Sequence, residues 1–179
     1  MDFFLKNLIE QYKELGLYED TIFVIYGEAF GEHDRFQHDM VPYEEGLRIP
    51  MMVLDPRRFP EGKRVETPVD QLDILPTVTG LLGYGVEGGE YPGSSLLDPP
   101  EDRALMFSCW NESGCLASLE GDMKYIYHYG DEPEELYDLS EDPREQNNLA
   151  DEAPAEELER RRTDLLEWRA KTDAVYESQ

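Results

Sequence analysis

Basic residues are scarce in this chain. Sixteen lysines and arginines stand against 41 aspartates and glutamates, a net charge of −25 over 179 residues. A surface of that sign repels nucleic-acid phosphates and anionic lipid headgroups, which excludes both as default partners. Cysteine is scarcer still. Cys109 and Cys115 are the only two, too few for a disulfide scaffold, and their spacing is not that of a Cys-x-x-Cys zinc site. Long hydrophobic runs are missing as well. Stretches such as Ile22 to Tyr26 and Ile49 to Leu54 are strand-length, well short of the ~18 apolar residues a membrane span needs. The opening "MDFFLKNLIEQYKELG" is amphipathic and carries no signal-peptide pattern. As written, the chain is expected to stay in the cytosol.

Hydrophobic residues nonetheless make up 40% of the sequence and occur in periodic runs, which argues against general disorder. Residues 2 to 15 place Phe3, Phe4, Leu8, Ile9, Tyr12 and Leu15 on one face at helical spacing, and Gly16 ends the run. Thr21 to Tyr26 and Ile49 to Leu54 are apolar on both faces, the pattern of buried parallel strands. In "TPVDQLDILPTVTGLLG", Asp70 is a candidate N-cap, and Pro76 marks either a kink or a late first turn. From 104 to 138, short apolar runs alternate with turns and predict an antiparallel meander. A charged helix over 154 to 175 closes the chain, with Leu158, Leu165, Leu166 and Trp168 as its stripe. The expected organisation is part of an α/β domain over 1–100, a small antiparallel-sheet subdomain over 101–150 and a charged helix over 151–179.

Four stretches, in order, resemble the sulfatase family of the alkaline-phosphatase-like superfamily: "GLYEDTIFVIYG" with "GEAFGEH", "YEEGLRIPMMV", "VDQLDILPTVTGLLG", and "KYIYHYGDEPEELYDLSEDPREQNNLA". The wording around "FGEHDRFQHDMVPYEEGLRIP" looks closest to the branch of lipoteichoic acid synthase and other phosphoglycerol transferases. The resemblance implies the C-terminal part of an α/β/α sandwich. It also implies a sulfuric or phosphoric ester as substrate and a divalent cation (Ca, Mg or Mn) in the parent family.

The same resemblance marks what is not here. The family's nucleophile lies in an N-terminal half that this chain is expected to lack. Cys109 does not stand in a Cys-x-Pro-x-Arg motif and is not that nucleophile. Where the family ends its strand in an Asp-His or Asp-Asn metal pair, Tyr26 runs directly into Gly27 and Glu28. The resemblance therefore assigns no catalytic residue and no Asp-His metal pair to this chain, and no cofactor is expected for it.

Glu28 is either a metal ligand or a glutamate holding the loop. Glu32 and His33 form "GEH", with His33 a ligand, a proton donor or a loop-bonding histidine. His38 lies where many sulfatases place a lysine that binds the ester oxygens, or it is a solvated loop histidine. Arg48 is expected to pair with Glu44 or Glu45, Tyr43 to pack, and His128 to be structural. Cys109 and Cys115 either bond across their turn, if the protein is exported, or remain buried thiols. Three readings follow: an ester hydrolase or phosphoglycerol-type transferase, a non-catalytic fragment, or an interaction subunit completed by a partner chain or by its own oligomer.

Overall fold

The structure, a computed structural model, describes residues 2–27, 42–85, 87, 91–109 and 114–177. They belong to two units. One gathers residues 1–28, 49–66 and 70–99; the other gathers 29–48, 67–69 and 100–179.

In the first unit, helix α1 spans Asp2–Glu14. It ends in a paired-bond cap: the Gly16 amide donates to the Lys13 carbonyl (3.1 Å) and the Leu17 amide to that of Tyr12 (2.9 Å). The cap needs a left-handed residue, and Gly16 supplies it at φ +69°. A short 3-10 turn, Tyr18–Asp20, leads to strand β1, Phe23–Tyr26. Tyr12 packs edge-on against Phe23, with ring centroids 5.0 Å apart. The rest of the α1 stripe is poorly covered, and Phe3 is 78% exposed.

Strand β2, Met51–Leu54, pairs with β1 antiparallel, Phe23 opposite Leu54 and Tyr26 opposite Met51. This corrects the expectation of parallel strands. A parallel neighbour needs a crossover of a dozen or more residues, usually a helix. Among the described residues, the connection holds only the four-residue helix α2, Glu44–Leu47. Two-sided apolarity reports where a strand is meant to be buried, not which way it runs. Here Tyr26 and Met52 are about half exposed.

Asp70 and Asp73 form a reciprocal capping box around the 3-10 turn Gln71–Asp73, which continues into helix α3, Ile74–Leu81. Pro76 falls in the first turn of α3, where its missing N–H leaves no bond unmade. Asp73 is fully buried; its carboxylate accepts from the amides of Asp70 (2.9 Å) and Ser94 (2.7 Å). Thr77 Oγ1 accepts from Leu96 N at 2.8 Å, so α3 holds the segment after the glycine-rich loop by its polar side.

The second unit is built on a four-stranded antiparallel sheet in sequential order. Its strands are β3 Ala104–Ser108, β4 Cys115–Glu120, β5 Met123–His128 and β6 Glu135–Asp138. This is the expected meander. The β4–β5 turn is two residues long, with Gly121 at φ +58°. The outer edge of β6 is covered by the chain that follows. Leu149 N donates to Leu136 O (2.8 Å), and the Asn148 side-chain oxygen accepts from Leu136 N (3.0 Å). Asn148 thus replaces a missing strand partner and blunts an edge that could otherwise template aggregation.

Strand alternation divides the sheet into two faces. Leu116, Tyr125 and Leu136 share one cluster with Leu165, joined by Leu158 and Trp168 of helix α4, Ala155–Glu177. Leu166 does not join that stripe and is partly exposed. The inward position three residues after Leu158 belongs to Arg161, which is 5% exposed and pairs with Glu157 (3.0 Å) and Glu120 (3.1 Å). The opposite face carries Cys115, Ala117 and Ile126, clustered with Cys109, Tyr137 and Tyr43. Lys124 and His128 alternate with Ile126 on this side of β5.

Candidate functional site

The residues that the sequence marks for chemistry are unevenly placed. Glu28, Glu32, His33 and His38 lie outside the described residues. The strand tip that precedes them is described. Gly27 N donates to Pro50 O at 2.9 Å, closing the end of the β1–β2 pair. A Cβ added to Gly27 would stand 3.0 Å from the Pro50 ring, so the tip is packed tightly against its neighbouring strand. Tyr26 and Gly27 offer no carboxylate or imidazole and do not fit a divalent cation. Among the described residues, no group of three or more histidine, cysteine or acidic side chains could hold one.

Arg48 is exposed. Glu44 is engaged elsewhere. Its carboxylate lies 3.0 Å from Lys124 Nζ, and its backbone N–H donates to Glu145 Oε2 at 2.6 Å. Lys124 is 0% exposed and also contacts Glu145 Oε1 at 2.8 Å. One ammonium therefore serves two carboxylates in a buried setting. Burial pushes the Glu145 carboxyl up from its ordinary value, and Lys124 opposes that push. Glu145 also has the one left-handed backbone among the described non-glycine residues, φ +53°.

A second network lies on the same face. Glu135 accepts from Tyr43 OH (2.8 Å) and from Tyr137 OH, and its other oxygen meets His128 Nε2 at 2.7 Å. His128 Nδ1 faces Glu132 at 3.5 Å. Burial, then the bond to Glu135, pushes the Tyr137 phenol far up. Tyr43 both packs, as expected, and bonds. Cys109 and Cys115 form a disulfide with Cα atoms 5.2 Å apart, in the cluster that seats the Tyr43 ring.

Sequence reasoning passed over Lys124, Glu135 and Glu145. A signal for Lys124 existed. In "MKYIYH" it alternates with Ile126 and His128, which puts it on the face that Cys115 and Ala117 also share. A lysine on an inward face requires an acid close by. Nothing local pointed to Glu44, 80 residues away.

Residues 1–84 match the family described as "Sulfatase". The "Ulvan-active sulfatase" of Formosa agariphila is 32% identical over 170 residues, covering 85% of this chain and 33% of that protein. The "Uncharacterized sulfatase YidJ" of Escherichia coli is 29% identical over 158 residues, covering 74% and 29%. Among solved structures, the phosphonate monoester hydrolase of Silicibacter pomeroyi superposes with a TM-score of 0.73 at 22% identity, over 95% of this chain and 38% of that one. The putative sulfatase yidJ of Bacteroides fragilis gives 0.72 at 23%, over 92% and 39%. These likenesses establish a mixed α/β fold of the sulfatase and phosphonate-hydrolase kind. The chain spans about a third of the length of the curated relatives it matches.

Proposed function

From the chain's kinship with the sulfatase family, we propose that it is the C-terminal portion of a sulfatase-type ester hydrolase and does not turn over by itself. In this reading the ester-binding residues of this portion come from the stretch 28–48 of the sequence. His38 is the candidate donor to charge building on the leaving oxygen. With no ligand offered by Tyr26 and Gly27, no cation-dependent step is assigned to this chain. The relatives above are named as sulfatases or as a phosphonate monoester hydrolase. We therefore favour sulfuric-ester chemistry over phosphoglycerol transfer.

The observation that carries the reading of a portion is the state of the first unit. Among the described residues, Phe23 and Leu81 are the only buried hydrophobic side chains there, while Phe3, Phe4, Leu15, Tyr26, Met52 and Leu82 are exposed. A lone two-stranded sheet is marginal in water, and apolar surface of this kind marks an interaction face. The occupant we assign to it is the remainder of a sulfatase α/β domain, in the same chain or supplied by a partner.

The test has two arms. The isolated chain should hydrolyse neither 4-nitrophenyl sulfate nor 4-nitrophenyl phosphonate above blank, with Ca²⁺, Mg²⁺ or Mn²⁺ added. Metal-dependent turnover would contradict the reading of an inactive chain. Co-expressed with the part of the ulvan-active sulfatase that lies outside the match, the chain should purify as a complex. Separate elution of the two would contradict the reading of a portion.

A further inference from the structure

We propose that the outer edge of strand β1 is a docking edge, whose outward-facing backbone groups at Val24 and Tyr26 take an added strand from the remainder of the sulfatase domain. The inference rests on reading the chain as a portion of that domain and adds how the rest attaches. Among the described residues, β2 is the one strand paired with β1. Gly27 N donates to Pro50 O at 2.9 Å, so these two residues form a hydrogen-bonded pair. Such pairs alternate along an antiparallel ladder. Ile25 stands opposite Met52 and Phe23 opposite Leu54. Phe23, Ile25 and Gly27 therefore direct their backbone groups to β2, and Val24 and Tyr26 direct theirs the other way.

That edge carries none of the features by which chains keep foreign strands away. From Thr21 to Gly27 the sequence has no charge and no proline, and the register with β2 runs without a bulge. The outer edge of β2 is the poorer candidate. Pro50 and Pro56 flank it, and neither has an N–H to donate. Directly after Leu54 the chain turns: Phe59 N donates to Asp55 O at 2.9 Å and Arg58 N to Asp55 Oδ1 at 3.1 Å. A second copy of the chain is opposed by the net charge of −25. The occupant is instead a strand of the remaining domain. The chain spans about a third of its curated relatives, and the rest of such a protein holds ample length for one. That strand should be apolar on both faces, to meet Tyr26 on one face of β1 and Ile25 on the other.

The experiment is hydrogen exchange on the full chain, free and in complex with the part of the ulvan-active sulfatase that lies outside the match. In the free chain the amides of Val24 and Tyr26 should exchange about tenfold faster or more than those of Ile25 and Gly27. In the complex they should slow by about tenfold or more, with Met51 and Val53 within about twofold of the free chain. Tyr26→Pro removes an outward N–H and should lower recovery of the complex about tenfold, while Tyr26→Val should leave it within about twofold. Should Tyr26→Pro also release Ile25, that variant has lost β1, and the exchange pattern of the unaltered complex decides. Val24 and Tyr26 already slow in a monomeric free chain would overturn the proposal. So would their slowing by self-association, which hands the edge to a second copy, or protection at Met51 and Val53 in their place. A complex without slowing at Val24 and Tyr26 would sink this proposal and leave the reading of a portion standing. The absence of a complex would sink that reading, and this one with it.

Discussion

Lys124 Nζ lies 3.0 Å from Glu44 Oε1 and 2.8 Å from Glu145 Oε1, and the lysine side chain is wholly buried. Removing the ammonium would strand two carboxylates facing each other in a dry setting. Breaking a buried pair by deleting one partner costs about 3–5 kcal/mol. Lys124→Met is expected to lower unfolding stability by about that amount, read from the urea midpoint of the sheet's transition.

Two carboxyls should respond to pH in opposite senses. Glu145 is raised in the folded state, by burial first. Its contribution is therefore fully present below its unfolded value and lost as pH rises through the folded one. Glu120 is lowered, first by its bond to Arg160, which together with the Arg161 and Arg160 charges overcomes the opposing push of burial. Its contribution is present above the unfolded value and lost as pH falls through the folded one. Glu120→Gln should cost about 1 kcal/mol or less at neutral pH, and nothing once the parent's Glu120 is protonated. The stability of the parent relative to Glu145→Gln should instead fall as pH rises from the acid side. Parallel pH profiles for the two variants would contradict this assignment.

The Cys109–Cys115 bond closes a short loop across the β3–β4 turn, in the cluster that seats Tyr43. A loop of this size should contribute about 2 kcal/mol by restricting the unfolded chain. Urea unfolding with and without dithiothreitol should differ by that amount, and the double variant Cys109→Ser with Cys115→Ser should no longer respond to the reductant.

Much of the architecture was legible because it is local. Gly16 announces the end of α1, Asp70 and Asp73 announce the start of α3, and turn residues separate the four strands of the meander. Strand direction was not legible, since β1 and β2 look the same whichever way they pair. Leu166 was misassigned because Arg161 occupies an inward position that hydrophobicity alone gives to no charged residue. The site's signals, "GEH" and the missing Asp-His pair beside Gly27, were visible as words. The buried cluster of Glu44, Lys124 and Glu145 was not, because it comes together only in the folded chain.

The central proposal is that this chain, similar in sequence to sulfatases, offers a catalytic cation no ligand at Tyr26 and Gly27. Calorimetric titration of the chain with Mn²⁺, repeated with Ca²⁺, tests it most directly. The account predicts no saturable heat of binding in the micromolar range. A one-to-one micromolar site, lost on changing Glu28 or His33 to alanine, would contradict it.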